Sequence, residues 1–153
     1  MTPHVLANLA KRSGIEVLLL SGAGDAAGIT DAAYREHGAR IVAGRDAVFA
    51  EAEIVLQVRG LGTNPEHGRD DLARLRDGQV LVALLDPLGA PAAAAELAQR
   101  GATVFGLELI PRITRAQSMD VLSSQASIAG YKAVIQAAEQ LPKIFPMMMT
   151  AAG

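Results

Sequence analysis

Short apolar runs alternate with segments of helical periodicity along this chain. A short run apolar on both sides of its pleat can be buried only as an inner strand of a covered sheet. Ile15 to Leu20, Arg40 to Val42, Glu53 to Val58, Gln79 to Leu85 and Ala102 to Gly106 read as strands of this kind. The segments between them have recognisable ends. Thr2-Pro3 supplies an N-cap with Pro at N1, and Val5, Leu6 and Leu9 recur at helical spacing until Gly14. Thr30-Asp31 caps a second helix, AAYREH, which Gly38 closes. Asp46 to Ala52 and Asp70 to Arg76 are further helices, and Pro91 opens the Ala-rich AAAAELAQR, which Gly101 ends. Gly60 to Gly68 reads as a loop and Asp86-Pro87-Leu88-Gly89 as a turn. Helices between buried strands give βαβ crossovers. The expected class is therefore α/β: an open, mostly parallel sheet with helices on both faces, Rossmann- or flavodoxin-like. The first helix has no strand ahead of it, and the last is followed by the apolar KIFPMMMTAAG. The pattern reads as truncated at both ends.

Composition narrows the function. With 153 residues, half of them apolar, the chain can bury one genuine core. A formal net charge of -2 gives no electrostatic footprint for nucleic acid. The absence of cysteine excludes disulfides, thiolate catalysis and cysteine-bound metal. The opening MTPHVLANLAKR lacks the basic-then-apolar order of a signal peptide, and no apolar run is long enough to span a bilayer. The reading is a soluble, cytoplasmic chain.

Three stretches invite a ligand. SGAGDAAGIT, after the apolar EVLLL, satisfies the relaxed pattern G-x-G-x-x-G/A at Gly22, Gly24 and Ala27. A dinucleotide loop of that pattern needs a helix growing directly out of it, with its first amides facing the pyrophosphate. Here the helix starts only at Thr30, and the acidic residue some twenty positions on, Asp46, opens a helix instead of ending a strand. An ordinary strand-to-helix turn is the preferred reading. Asp86-Pro87 follows the carboxyl end of a strand, where open α/β sheets bind ligands, but a turn-forming Asp is preferred there too. His4, His37 and His67 are scattered without metal-ligand spacing, and no G-x-S-x-G elbow occurs.

The third stretch, ELIPRITRAQSMDVLSS from Glu108 to Ser124, carries two arginines through a Pro-initiated loop into a helix. Gln117, Asp120, Ser123 and Ser124 lie three or four apart, which puts them on one face over the first two turns of that helix. Arg112 can reach Asp120, and its planar fork suits an amide or a carboxylate. The set is built to hydrogen-bond a planar polar ligand such as a carboxamide and contains no evident general base. A capping network with a surface ion pair fits the same residues equally well.

PRITRAQSMDVLSSQASIAGYKAVIQAA, followed by FPMMMTAAG, resembles the NAD-binding subunit of proton-translocating NAD(P) transhydrogenase, in the first half of its domain I. The similarity extends upstream through TPH, GAG…ITD and LLDPL, in pieces shared more loosely with alanine dehydrogenases. The resemblance implies two α/β subdomains with NAD(H) in the cleft between them, and direct hydride transfer to NADP held on a partner domain. It implies that Arg112, Gln117, Asp120 and Ser123 surround the nicotinamide ring. Arg112 and Asp120 would pair, Arg112 and Ser123 would hold the carboxamide, and Gln117 would face the NADP-bearing domain. By the same resemblance, residues 1–118 are the first subdomain, 119–140 the long helix leading to the absent second one, and 141–153 the start of the connection. That helix has a stripe of Ala126, Ala129, Gly130, Ala133 and Ala137, suited to close packing on a neighbour or merely on its own sheet; Met147 to Met149 would fill the junction.

Further expectations rest on the same likeness: a membrane domain that conducts protons, a homodimer in the complete protein, and a cytoplasmic location peripheral to the inner membrane. A family strand ahead of TPH and a Rossmann subdomain after MMMTAAG are not in this sequence, so the chain reads as one wall of a cleft, inactive alone. Two alternatives stand beside this reading. An alanine dehydrogenase would need a Lys and a His where this sequence offers Arg59 in LQVRG and Asp86 in LLDPL. A non-catalytic binding module is the other.

Overall fold

The computed structural model describes residues 1–11, 14–143 and 145. It divides into two compact units, Met1–Gly106 and Leu107–Gly153. The first unit runs α1 (Pro3–Ala10), β1 (Val17–Leu20), α2 (Asp31–Glu36), β2 (Ala39–Val42), α3 (Arg45–Glu51), β3 (Ile54–Arg59), α4 (Gly68–Arg74), β4 (Val80–Leu84), α5 (Pro91–Ala98) and β5 (Thr103–Gly106). Each expected strand and helix of this unit is present, with ends displaced by a residue or two. The largest revision falls in the Gly60 to Gly68 stretch. Leu61–Thr63 forms a 3-10 turn there, and α4 begins at Gly68, ahead of the expected Asp70. The turn forms because Thr63 Oγ1 donates to the carbonyl of Leu84 at 2.8 Å, and a Cβ on Gly62 would lie 1.8 Å from the Leu85 carbonyl oxygen.

All strand pairs are parallel, as βαβ connections require. They form a two-stranded sheet, β1-β2, and a three-stranded sheet, β3-β4-β5, so the single sheet expected from the pattern is divided. Helices lie on both faces of β1-β2. Val17, Leu19, Ala39 and Ile41 pack with Leu6 of α1 and Tyr34 of α2. Arg40, on the opposite side of the pleat, pairs with Glu51 of α3 and with Glu16. The larger core belongs to the three-stranded sheet, where Val55, Leu81 and Ala83 pack with Phe49, Leu61, Leu75, Leu85 and Leu97. Its other face presents Ile54, Leu56, Val58 and Phe105, all more than half exposed.

Two polar groups tie the helices of this core to its strands. Asp71 of α4 is buried, takes the fork of Arg45 from α3, and accepts from Gln57 Nε2 of β3 at 3.1 Å. Gln79, expected as the first strand residue, is a buried polar plug instead. Its amide donates to the carbonyls of Phe49 and Ala52 at 2.9 and 2.7 Å, satisfying acceptors at the end of α3. The second unit contains 3-10 turns at Leu107–Leu109 and Thr114–Met119, then the long helix α6 (Val121–Gln140). Met147 to Met149 lie outside the described residues.

Candidate functional site

The start of α6 is set by Asp120. Its backbone is extended, at φ -73 and ψ 92, and its carboxylate accepts the amide of Ser123 at 3.0 Å, so it is the N-cap residue. This corrects the expectation that Gln117, Asp120, Ser123 and Ser124 share one helical face. Gln117 belongs to the preceding 3-10 turn, Asp120 stands at the break, and only Ser123 and Ser124 are helical. The reason is local: a carboxylate free to cap cannot also sit inside the turn that it caps.

The cluster nonetheless assembles. Asp120 Oδ2 accepts from the Ser123 hydroxyl at 2.7 Å. Arg112 Nη2 donates to Ser123 Oγ at 3.2 Å, and Arg112 Nε stands 3.7 Å from Asp120 Oδ2. The amide of Ser123, then its hydroxyl, and then the charge of Arg112 hold the Asp120 carboxyl below its usual range, against an opposing effect of desolvation. Asp120 is the sheltered member, its side chain 14% exposed against 71% for Arg112. The guanidinium is therefore anchored at one edge and open to solvent on the rest. Gln117 is exposed, and the bonds that join Arg112, Asp120 and Ser123 do not include it. Ser124 Oγ turns back to the Val121 carbonyl at 3.0 Å and plays no part in the cluster. Arg112, Asp120 and Ser123 form one constellation; Gln117 is near in sequence and separate in bonding.

The Gly-rich turn is a poor cradle for phosphate. The amides of Ala23, Asp25, Ala27, Gly28 and Ile29 are all spent on carbonyls from Leu20 to Asp25. Gly22 donates to Asp31 Oδ1 at 3.0 Å, and the Ser21 hydroxyl donates to Asp31 Oδ2 at 2.6 Å. A phosphate would find most amides of the turn taken and two carboxylates, Asp25 and Asp31, within it or bonded to it. Gly22 is required by its φ of +76, whereas Gly24 is required by space: a Cβ there would lie 2.4 Å from the Ile29 carbonyl oxygen and 2.7 Å from the Tyr34 ring. The role of Asp31 is absent from the expectations above, although a carboxylate directly after an N-cap Thr is a signal for it. Thr30 does cap α2, accepting from Ala33 at 3.3 Å.

Asp86 behaves as a turn residue. It has φ 49 and its Oδ1 accepts from Gly89 at 3.1 Å. Arg59, at the end of β3, donates to the Thr63 carbonyl. His37 contacts the Ala33 carbonyl, and among the described residues no group of metal-ligating side chains comes together.

Comparison with known proteins places these features in a lineage. The family described as alanine dehydrogenase/PNT, N-terminal domain, matches residues 1–129. The chain belongs to this family. An NAD(P) transhydrogenase subunit alpha of Rhodospirillum rubrum, the first piece of a subunit that is divided there, is 44% identical over 140 residues, covering 92% of this chain and 36% of that protein. The crystal structure of transhydrogenase from Sinorhizobium meliloti superposes with a TM-score of 0.83 at 42% identity, covering 99% of this chain and 43% of that one. An L-alanine dehydrogenase structure shares the fold, with a TM-score of 0.76 at 23% identity over 91% of this chain and 36% of that chain. Within the family this member therefore sides with the transhydrogenase alpha subunits. It spans little more than a third of the length of the Rhodospirillum relative. Among the described residues no helix is long and apolar enough to cross a membrane.

Proposed function

We propose that this chain forms one wall of an NAD(H)-binding cleft in an NAD(P) transhydrogenase, with Arg112, Asp120 and Ser123 holding the nicotinamide carboxamide. The observation that carries the reading is the hydrogen-bonding inventory of the cluster. Arg112 has donors left over on its open side, beside a Ser123 oxygen that is already bonded to both neighbours. A carboxamide needs one donor and one acceptor side by side, so the set fits the group. The nicotinamide supplies the hydride chemistry when bound. The residues of this chain orient it: Asp120 steadies Arg112 and Ser123, and Gln117, exposed on its 3-10 turn, faces a partner domain that brings NADP. Transfer between two nicotinamides needs alignment and exclusion of water, not a proton acceptor, which agrees with a site that contains no general base.

The same reading assigns proton translocation to a membrane domain elsewhere in the enzyme. It also assigns the pyrophosphate to a second NAD-binding subdomain. The complete protein would be a dimer on the cytoplasmic side of the inner membrane, and this chain alone would not catalyse transhydrogenation. Alanine dehydrogenase activity is disfavoured by the engagement of Arg59 and Asp86 in their own turns.

Titration of the isotopically labelled chain with NAD, followed by amide chemical shifts, tests the location directly. Residues 112–124 should move while residues 22–29 stay in place, even at millimolar affinity. Shifts concentrated at Gly22 to Gly28 would overturn the assignment.

A further inference from the structure

The Ser123 hydroxyl has one hydrogen, and its direction is determined. Arg112 can only donate, so at the 3.2 Å contact Ser123 Oγ is an acceptor. An ionised carboxylate can only accept, so at the 2.7 Å contact with Asp120 Oδ2 the hydroxyl hydrogen points to Asp120. The second Asp120 oxygen is engaged by the Ser123 amide at 3.0 Å, which fixes the carboxylate against rotation. What Ser123 Oγ can still offer is a lone pair.

We propose that Asp120, by fixing the hydroxyl hydrogen of Ser123, makes this site select a carboxamide and reject the corresponding carboxylate. The inference rests on the nicotinamide-binding reading above and adds to it a residue that sets specificity. A carboxamide oxygen accepts from Arg112 while its NH2 donates to the free lone pair of Ser123. A carboxylate satisfies Arg112 equally well, but its second oxygen then opposes the Ser123 lone pair with no hydrogen between them. The charge of a carboxylate gives it no compensating advantage. Arg112 and Asp120 together carry no net charge, and the guanidinium is 71% exposed, where an ion pair is worth little. The missing hydrogen bond and the facing lone pairs decide the outcome.

The distinguishing probes are NAD and its deamido analogue, nicotinic acid adenine dinucleotide, which differ only in this group. Each is titrated into the full chain while the Ser123 amide shift is followed. NAD should bind about ten-fold more tightly than the deamido form. In Asp120→Asn, the side-chain NH2 can donate to Ser123 Oγ, which releases the hydroxyl hydrogen toward the ligand and leaves Arg112 uncompensated. The preference should then fall to parity or reverse. Ser123→Ala keeps the backbone cap and should lose most of the discrimination, with weaker NAD binding. A merely structural role for Asp120 would weaken both ligands by the same factor and leave their ratio unchanged. Equal affinities in the wild type would overturn this inference alone. Binding of neither ligand at residues 112–124 would overturn it together with the reading beneath it.

Discussion

Gly24 and Asp120 show how single residues decide what this chain can bind. Gly24 looks like a nucleotide-binding glycine, yet its neighbours are the Ile29 carbonyl and the Tyr34 ring, each too close for a Cβ. Gly24→Ala should therefore destabilise the fold by about 1–3 kcal/mol in denaturant unfolding, through overpacking, whether or not nucleotide is present. Asp120 carries a pH signature. Its folded carboxyl lies below the usual value of 3.8, so its contribution is fully present above that value and is lost as pH falls through the lower, folded one. In an NMR titration the Asp120 carboxyl midpoint should fall below 3.8, and Asp31, held down first by the Ser21 hydroxyl and then by the Gly22 amide, should do the same. A midpoint at or above the ordinary value for Asp120 would mean that the cap and its Arg112 partner are not formed in solution. The Arg112–Asp120 pairing was legible from spacing. The tying of the Gly-rich turn to Asp31 was not, because a bond spanning ten residues has no periodic signal.

At the scale of elements, the alternation of strands and helices was fully readable because burial on two faces leaves a continuous apolar run in each strand. What periodicity could not supply was the exact edge of each element, which side-chain bonds decided. Asp120 capping moved the start of α6, Thr63 made a 3-10 turn of part of a loop, and Gln79 left the strand to plug α3. The Asp71 network predicts an asymmetry between its two partners. Arg45→Ala leaves a carboxylate 7% exposed with only Gln57 donating a short bond, and should cost about 3 kcal/mol. Asp71→Asn leaves Arg45, 43% exposed, free to turn toward water, and should cost about 1 kcal/mol. Thermal or urea unfolding of the two variants measures the difference; equal costs would mean that Asp71 is less dependent on Arg45 than its burial implies.

Across the whole molecule, one unit presents parallel α/β architecture and the other presents a capped helix with a polar cluster at its start. Membership of the alanine dehydrogenase/PNT N-terminal family explains why a dinucleotide-type fold can carry a decoy fingerprint. The residues proposed to meet the ligand lie at Arg112, Asp120 and Ser123, well beyond the loop that first attracts notice. The central claim concerns those residues in an assembled enzyme, so hydride transfer is the decisive measurement. It should be followed in a complete alpha subunit carrying this sequence, mixed with its NADP-binding partner, from NADH to an NADP analogue. Arg112→Ala should lower kcat/KM at least about ten-fold, the loss of one charged hydrogen bond to the ligand, with the unfolding midpoint unchanged. An unchanged rate in Arg112→Ala and in Asp120→Asn would contradict the assignment of this cluster to the nicotinamide.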